Sequence, residues 1–436
     1  MTQVPAPNHF WWRAYDSERP SGLQWHSIGE TAFQERESRI EGKEWLFRPP
    51  PLWADDLLRI ARAAFLTDKL VNRTPTEDRW TRRLRLSVPV SDPDLWADAA
   101  ARLIPALLQT LTGDHWEITL RAARPSHRTD PLWDYEQSRA HEAALFSGGL
   151  DSLSWAAQRA SVGDNGRLLL VTFIEKNLES VQSSAYDAVH TLARESGRHL
   201  HPVPLGQTPG GSDGSTVEQS SRPRGLLYAA AAIRAAAANG VTTVQIPENG
   251  QLALNPPLTS ARSSALSTRS VHPRTLHLLN TLIRSVDGTV TAENPLARLT
   301  KGDICRAALD SGLPRTALEN TLSCGASPLR LNGRPYINCG TCFPCLIRRS
   351  GLLSAAGVDD TSYETAPWLP GTSAKRTEHW RAVQQWLARS YSALDVIGDV
   401  PLPPGTHTHE WLDVIKRGRG ELQELVRWAL EVSEVA

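Results

Sequence analysis

The stretch "AALFSGGLDSLSWAAQRA", residues 143–160, decides the fold. A short apolar run leads into two adjacent glycines flanked by serine and leucine, with an aspartate close behind, and the pattern then turns helical. This is a strand, a tight loop and a helix. Working outward, further short apolar runs follow at "RLLLVTFI", "HLHPVPL", "TTVQIP" and "GTVTA", each separated from the next by a helical stretch. Such alternation predicts an α/β fold, a doubly wound parallel sheet with helices on both faces. At the first strand-to-helix turn the helix offers unpaired N–H groups and the positive end of its dipole, and missing side chains let a phosphate come close. A bare Gly-Gly turn would say little. The full S-G-G-x-D-S string at this junction predicts a nucleotide loop made of Ser147, Gly148, Gly149, Leu150, Asp151 and Ser152. Asp151 is unusual beside a phosphate unless it works with Mg2+ or orients the loop.

The chain has 436 residues, enough for two or three domains. Lys and Arg number 47, as do Asp and Glu, so no global field drives the chain onto nucleic acid or an acidic membrane surface. The start "MTQVPAPNHFWW" lacks the pattern of a signal peptide, and no run of about 18 apolar residues occurs. The expectation is a soluble, cytoplasmic protein.

Residues 1–140 read as an N-terminal α/β accessory domain. "RRLRLSVPV" alternates as a strand. Asp92 and Pro93 then open a helix through "DLWADAAARLIPALLQTL", and "HWEITLRAA" alternates again. Residues 141–357 form the nucleotide-loop domain, and 358–436 a helical C-terminal extension ending in the amphipathic "ELQELVRWALEV". The segment 205–225, "LGQTPGGSDGSTVEQSSRPRG", reads as a mobile lid or an insertion without structure. Most of the 15 tryptophans fall in the two extensions, where they either pack a core or anchor a protein partner.

Four of the five cysteines crowd together as Cys324, Cys339, Cys342 and Cys345, the last three in "CGTCFPC". Two overlapping C-x-x-C hooks and a fourth thiol suit a tetrahedral, structural Zn2+ in a reducing compartment. A four-thiolate iron–sulfur cluster is the rival reading. Cys305, in the apolar "DICRAALDSG", reads as a core residue.

The loop resembles the PP-loop of the ATP pyrophosphatases, with their adenine nucleotide alpha-hydrolase-like fold, and differs from a loop ending in Gly-Lys-Ser/Thr. That resemblance implies cleavage of ATP to AMP and pyrophosphate. A PP-loop followed by a cysteine hook is the layout of QueC, which makes preQ0 from 7-carboxy-7-deazaguanine. "SRPRGLLYAAAAIRAA", "NPLARLTKGDI" and "TLSCGAS…CGTCFPCLIRRSGL" are similar to QueC segments over residues 143–357. They imply catalytic roles for Arg224 and Lys301 beside Asp151. About 140 residues before the loop and nearly 80 after the core depart from QueC. So does "PENGQLALNPPLTSARSSALSTRSVHP", which stands where QueC has a glycine-rich substrate segment. In both respects the chain resembles the QueC-like proteins of bacterial anti-phage systems, QatC of Qat and its type IV CBASS relatives. That resemblance implies transfer of the activated deazaguanine acid to an amine of a partner protein from the same operon, reported as its N-terminus.

Adenylation replaces a poor oxide leaving group by AMP, so the site needs a pyrophosphate cradle, Mg2+ and cations for charge developing on the α-phosphate. Lys301 and Arg224 are the candidates. Glu248, after "TTVQIP", can accept hydrogen bonds from a guanine-like base, with Asn249 helping, or both can cap a loop. Three other readings stay open. They are a preQ0 synthase using ammonia, a tRNA thiolase of the PP-loop type, and a non-catalytic nucleotide-sensing module, against which the intact Asp151 and Ser152 speak. Neutral charge speaks against RNA.

Overall fold

The computed structural model describes residues 8–15, 17–20, 25–29, 48–123, 139–163, 166–174, 178–206, 218, 220–259, 269–325, 337–398 and 401–435. The first region is built from β1 (His9–Trp12), β2 (His26–Ile28), α1 (Leu52–Leu70), β3 (Arg83–Val90), α2 (Ile104–Thr112) and β4 (His115–Ala122). Its four strands form a parallel sheet in the order β2-β1-β3-β4. The alternation read in β3 holds at its start, where Arg83 and Arg85 are exposed and Leu84 and Leu86 buried, but from Ser87 onward both faces are covered. Asp92 accepts from the N–H groups of Asp94 and Leu95, as expected of a capping residue. The helix that follows passes through a π-helical turn at Ala99–Leu103 before α2 begins.

The second region runs through β5 (Ala140–Leu145), α3 (Leu150–Ser161), β6 (Arg167–Phe173), α4 (Glu179–Ser196), β7 (His199–Leu205), α5 (Arg224–Asn239), β8 (Thr243–Gln245), α6 (Gly250–Leu254), α7 (Pro273–Ser285) and β9 (Thr291–Glu293). All five expected strands are present and parallel, in the order β7-β6-β5-β8-β9. The central strands β5 and β6 feed the two cores in turn. Ala143, Leu169 and Val171 enter one, Ala144, Leu168 and Leu170 the other. Strands buried on both faces explain why the sequence shows continuous apolar runs. Strand order reverses between β5 and β8, where connections leave in opposite directions and a crevice opens at the carboxyl ends.

The chain continues with α8 (Lys301–Asp310), α9 (Arg315–Glu319), α10 (Phe343–Ala356), α11 (Ala374–Ala388), α12 (Ala393–Ile397) and α13 (Thr408–Val435). On one face of the five-stranded sheet, α3, α4 and α8 share a core. On the other, α5 and α7 pack against α1 and α2, so one apolar core runs without a break from the four-stranded sheet into the five-stranded one. The alanine-rich inner face of α5 permits this close approach. A third core joins α6 and α10 to α11, α12 and α13, with Trp380, Trp386 and Trp411 inside it. Trp12, Trp53, Trp96 and Trp116 are likewise buried in the first core, while Trp428 is exposed, so packing accounts for most of the described tryptophans. Among the described residues no helix is long and apolar enough to cross a membrane. Most of the expected lid, residues 207–217 and 219, lies outside the described residues.

Candidate active site

Gly148 and Gly149 make the turn between β5 and α3. Gly148 has φ +73°, and a Cβ there would stand 2.9 Å from the Cα of Gln182, so both conformation and space demand glycine. Gln182, on α4, closes the loop from beneath by donating to the carbonyls of Ser147 (3.1 Å) and Phe173 (2.8 Å). Gly149 is the N-cap of α3 and supplies no side-chain cap, so the first N–H groups of the helix stay available for an anion. Ser152 donates to the Gly149 carbonyl (3.1 Å), which leaves Ser147 Oγ to donate to Ser152 Oγ (3.1 Å) while accepting from the Gly149 N–H (3.2 Å). Leu150 points into the core behind.

Asp151 is buried and pairs with Lys301 Nζ at 2.5 Å, an ion pair joining residues 150 positions apart. Asn249 Nδ2 donates to Asp151 at 2.9 Å and to Glu248 at 3.1 Å, and its Oδ1 caps α6 by accepting from the Leu252 N–H. Burial alone would raise the Asp151 carboxyl. The Lys301 charge and hydrogen bonds from Glu248, Lys301 and Asn249 outweigh burial and hold it below the ordinary range. Glu248 shows the opposite result. Burial first, then the adjacent Asp151 charge and the hydrogen bond to Asp151, raise it well above the usual range. Of two neighbouring carboxyls, the one nearer the lysine is ionised and the other keeps its proton.

Lys301 is the first residue of α8, behind a capping box made by Thr300 and Asp303. Its buried stem crosses Gly351 of α10, where a Cβ would stand 2.3 Å from Lys301 Cγ. With Ser147, Asp151 and Glu248 it lines a cavity of about 460 Å³. Ser323, Cys324 and Phe343 of the cysteine segment line the same cavity. His379, on α11, lines the same cavity and accepts at Nδ1 from the Phe343 N–H (3.1 Å). Neither Gln182 nor His379 was flagged by sequence reasoning. Neither sits in a recognisable motif, and each reaches the site only through folding.

Arg224 stands apart. It is exposed in the first turn of α5, over the Tyr228 ring, which stacks on Phe173 at the end of β6, and it is not among the lining residues. Asn249 is engaged at both ends of its amide in capping and in holding Asp151, the loop role allowed from sequence. His272 caps α7 through the Arg274 N–H, and burial first, then Arg269 and Arg274, lower it to about 3.

The four thiols Cys324, Cys339, Cys342 and Cys345 have Sγ atoms within 4.8 Å of one another, with Cys324–Cys342 at 3.9 Å and Cys339–Cys345 at 3.8 Å. A zinc ion with bonds of about 2.3 Å sets tetrahedral edges of roughly 3.8 Å, so the donor set fits it. A cluster of several irons would spread the thiolates further. The N–H of Cys342 points at Cys339 Sγ (3.4 Å) and that of Gly325 at Cys342 Sγ (3.3 Å), as thiolates require. Gly340, at φ +78°, forms the knuckle turn. Cys305 is buried in the core, with its thiol pushed up to about 12, chiefly by burial.

No curated protein matches this chain. The family model described as queuosine biosynthesis protein QueC matches residues 271–356, from α7 through α10. Lys301 and all four clustered cysteines fall inside that match, and over this part the chain is similar to QueC.

Proposed function

We propose that the chain adenylates 7-carboxy-7-deazaguanine with ATP and transfers the acyl group to an amine, the N-terminus of a partner protein, in anti-phage defence. The observation that carries the ATP chemistry is the buried Asp151–Lys301 pair beside the uncapped N-terminus of α3, at the strand-order reversal. In this reading the α3 N-terminus, Gly148, Gly149 and Ser147 hold the pyrophosphate. Asp151 would hold the magnesium that accompanies ATP, and that ion would offset phosphate charge. Lys301, released from Asp151, meets charge developing on the α-phosphate. The substrate carboxylate attacks that phosphorus and pyrophosphate leaves. The neutral amine then attacks the carbonyl, AMP departs, and the nitrogen loses its proton to solvent. Glu248, once it gives up its proton, would accept hydrogen bonds from the purine-like base. Cys324, Cys339, Cys342 and Cys345 would hold a structural zinc that steadies the cavity wall made by the cysteine segment.

The protein acceptor is supported by the long segments flanking the QueC-like part. A second reading, preQ0 synthesis with ammonia, draws on the match itself and on the burial of most described tryptophans. Intact-mass measurement separates them. With ATP, magnesium and the acid, a protein encoded beside this one should gain the deazaguanine acyl mass. Rapid formation of free preQ0 with ammonia and no partner would favour the second reading.

A further inference from the structure

The C-terminal helix α13 lies outside the QueC match yet grips the first turn of α8 at several points. Glu421 accepts from the Thr300 hydroxyl and from the Gly302 N–H (3.1 Å). Since Thr300 spends its proton on Glu421, its oxygen stays oriented to accept from the Asp303 N–H (3.1 Å) and so to cap the helix that starts with Lys301. Arg417 pairs with Asp303, whose carboxylate accepts from the Thr300 N–H (2.9 Å), and donates to the Arg298 carbonyl (2.6 Å). Glu410 pairs with Arg298. Between Arg417 and Glu421 on the same helix, Gly418 lies against Gln251, whose Oε1 accepts from the Lys301 N–H (3.3 Å). Residues on both sides of Lys301 are thus bonded to one helix supplied from more than a hundred positions away.

We propose that Glu421 is a positioning residue for Lys301, making α13 an integral part of the ATP-splitting site. The proposal rests on the ATP-splitting reading above. A buried carboxylate that accepts two donors must be ionised to hold both well, and a protonated one would compete with Thr300 for the role of donor. Burial raises Glu421 to about 7 despite the bonds from Thr300 and Gly302, with Asp303 raising and Arg417 lowering it. Cys305, also on α8, is a further titratable neighbour. The neutral Gln251 and Ser354 face this turn from α6 and α10.

The test compares zinc-loaded wild type, Glu421→Ala and Glu421→Gln in the full chain. Expected for Glu421→Ala is a kcat for AMP formation at least tenfold lower, with ATP affinity within about threefold, and partial recovery in Glu421→Gln. Wild-type kcat should rise with pH through about 7 as Glu421 ionises, and Glu421→Gln should lack that limb. Thermal stability separates positioning from mere support. A carboxyl raised from 4.5 to about 7 on folding makes stability decline as pH rises between those values, so Glu421→Gln should not melt below wild type at pH 8. A loss of kcat matched by lower melting, or no loss at all, would overturn the proposal. Hydrogen exchange at Gly302 reads the contact without catalysis. If wild type makes no AMP, the ATP-splitting reading fails on its own. Unchanged Gly302 exchange in Glu421→Ala would then reject the positioning role, whereas acceleration of tenfold or more would retain the contact.

Discussion

The segments before residue 141 and after residue 357 look alike in sequence, both long, rich in tryptophan and without a catalytic motif, yet they join the fold differently. The N-terminal region packs against the sheet's outer helices through α1 and α2, with Asp55 of α1 pairing with Arg234 of α5, and its most deeply buried charges meet one another. Arg82 is fully buried between Asp68 and Asp114, which also bind Arg73. It touches the segment that leads into α5 through Lys69, which donates to the Glu218 and Ser220 carbonyls, through the Arg73 N–H, which donates to Glu218, and through Trp80, over whose ring Arg222 lies. The C-terminal helices instead pack on α6 and α10 and send His379 to the cavity and Glu421 to the turn carrying Lys301. A similar composition thus serves scaffolding on one side and assembly of the site on the other.

The largest effect should come from cutting the link between cavity and C-terminal helices. Cys342→Ser removes one thiolate and unsettles the N-terminus of α10, on which the third core is built. Elemental analysis should find zinc falling from about one per chain to none, with most protein insoluble, because metal binding carries local folding energy. Next comes a pair chosen to break the comparison. Trp386→Ala, in the C-terminal core, should cost about 3–5 kcal/mol, and Arg82→Ala, which takes the nearer of two cations from the buried Asp68 and Asp114, about 3–5 kcal/mol as well. Denaturant melts should place the two variants together. AMP formation per folded molecule should fall more than tenfold in the first and stay within about twofold in the second. Equal turnover in both would erase the distinction between the regions. The smallest effect is expected for Arg224→Ala, whose exposed guanidinium lies off the cavity. Its turnover should stay within about threefold of wild type, and a much larger loss would mean that α5 moves onto bound ATP.

What the sequence disclosed was local. The loop at 147–152, the five strands and the four-cysteine hook each depend on neighbours in the chain, so period and spacing reveal them. Lys301 and Glu248 emerged from motif and strand-end position, and both meet Asp151. The opposite shifts of Asp151 and Glu248 could not be foreseen, because they depend on burial and on a contact between two loops. Gln182, His379 and Glu421 escaped for the same reason, each lying on an ordinary helix. Arg224 shows the converse, a residue singled out by resemblance that the fold leaves on an exposed turn. The common core of the two sheets was also hidden, since helix periodicity shows which face is apolar but not what covers it.

The central claim is that the Asp151–Lys301 pair sits where ATP is split between its α- and β-phosphates. Products formed from ATP by the zinc-loaded chain with magnesium and 7-carboxy-7-deazaguanine test it most directly, with Asp151→Asn as the comparison. The account predicts AMP and pyrophosphate in equal amounts from wild type, and a loss of at least a hundredfold in a folded Asp151→Asn. ADP with inorganic phosphate from wild type, or near-normal AMP from the variant, would contradict it.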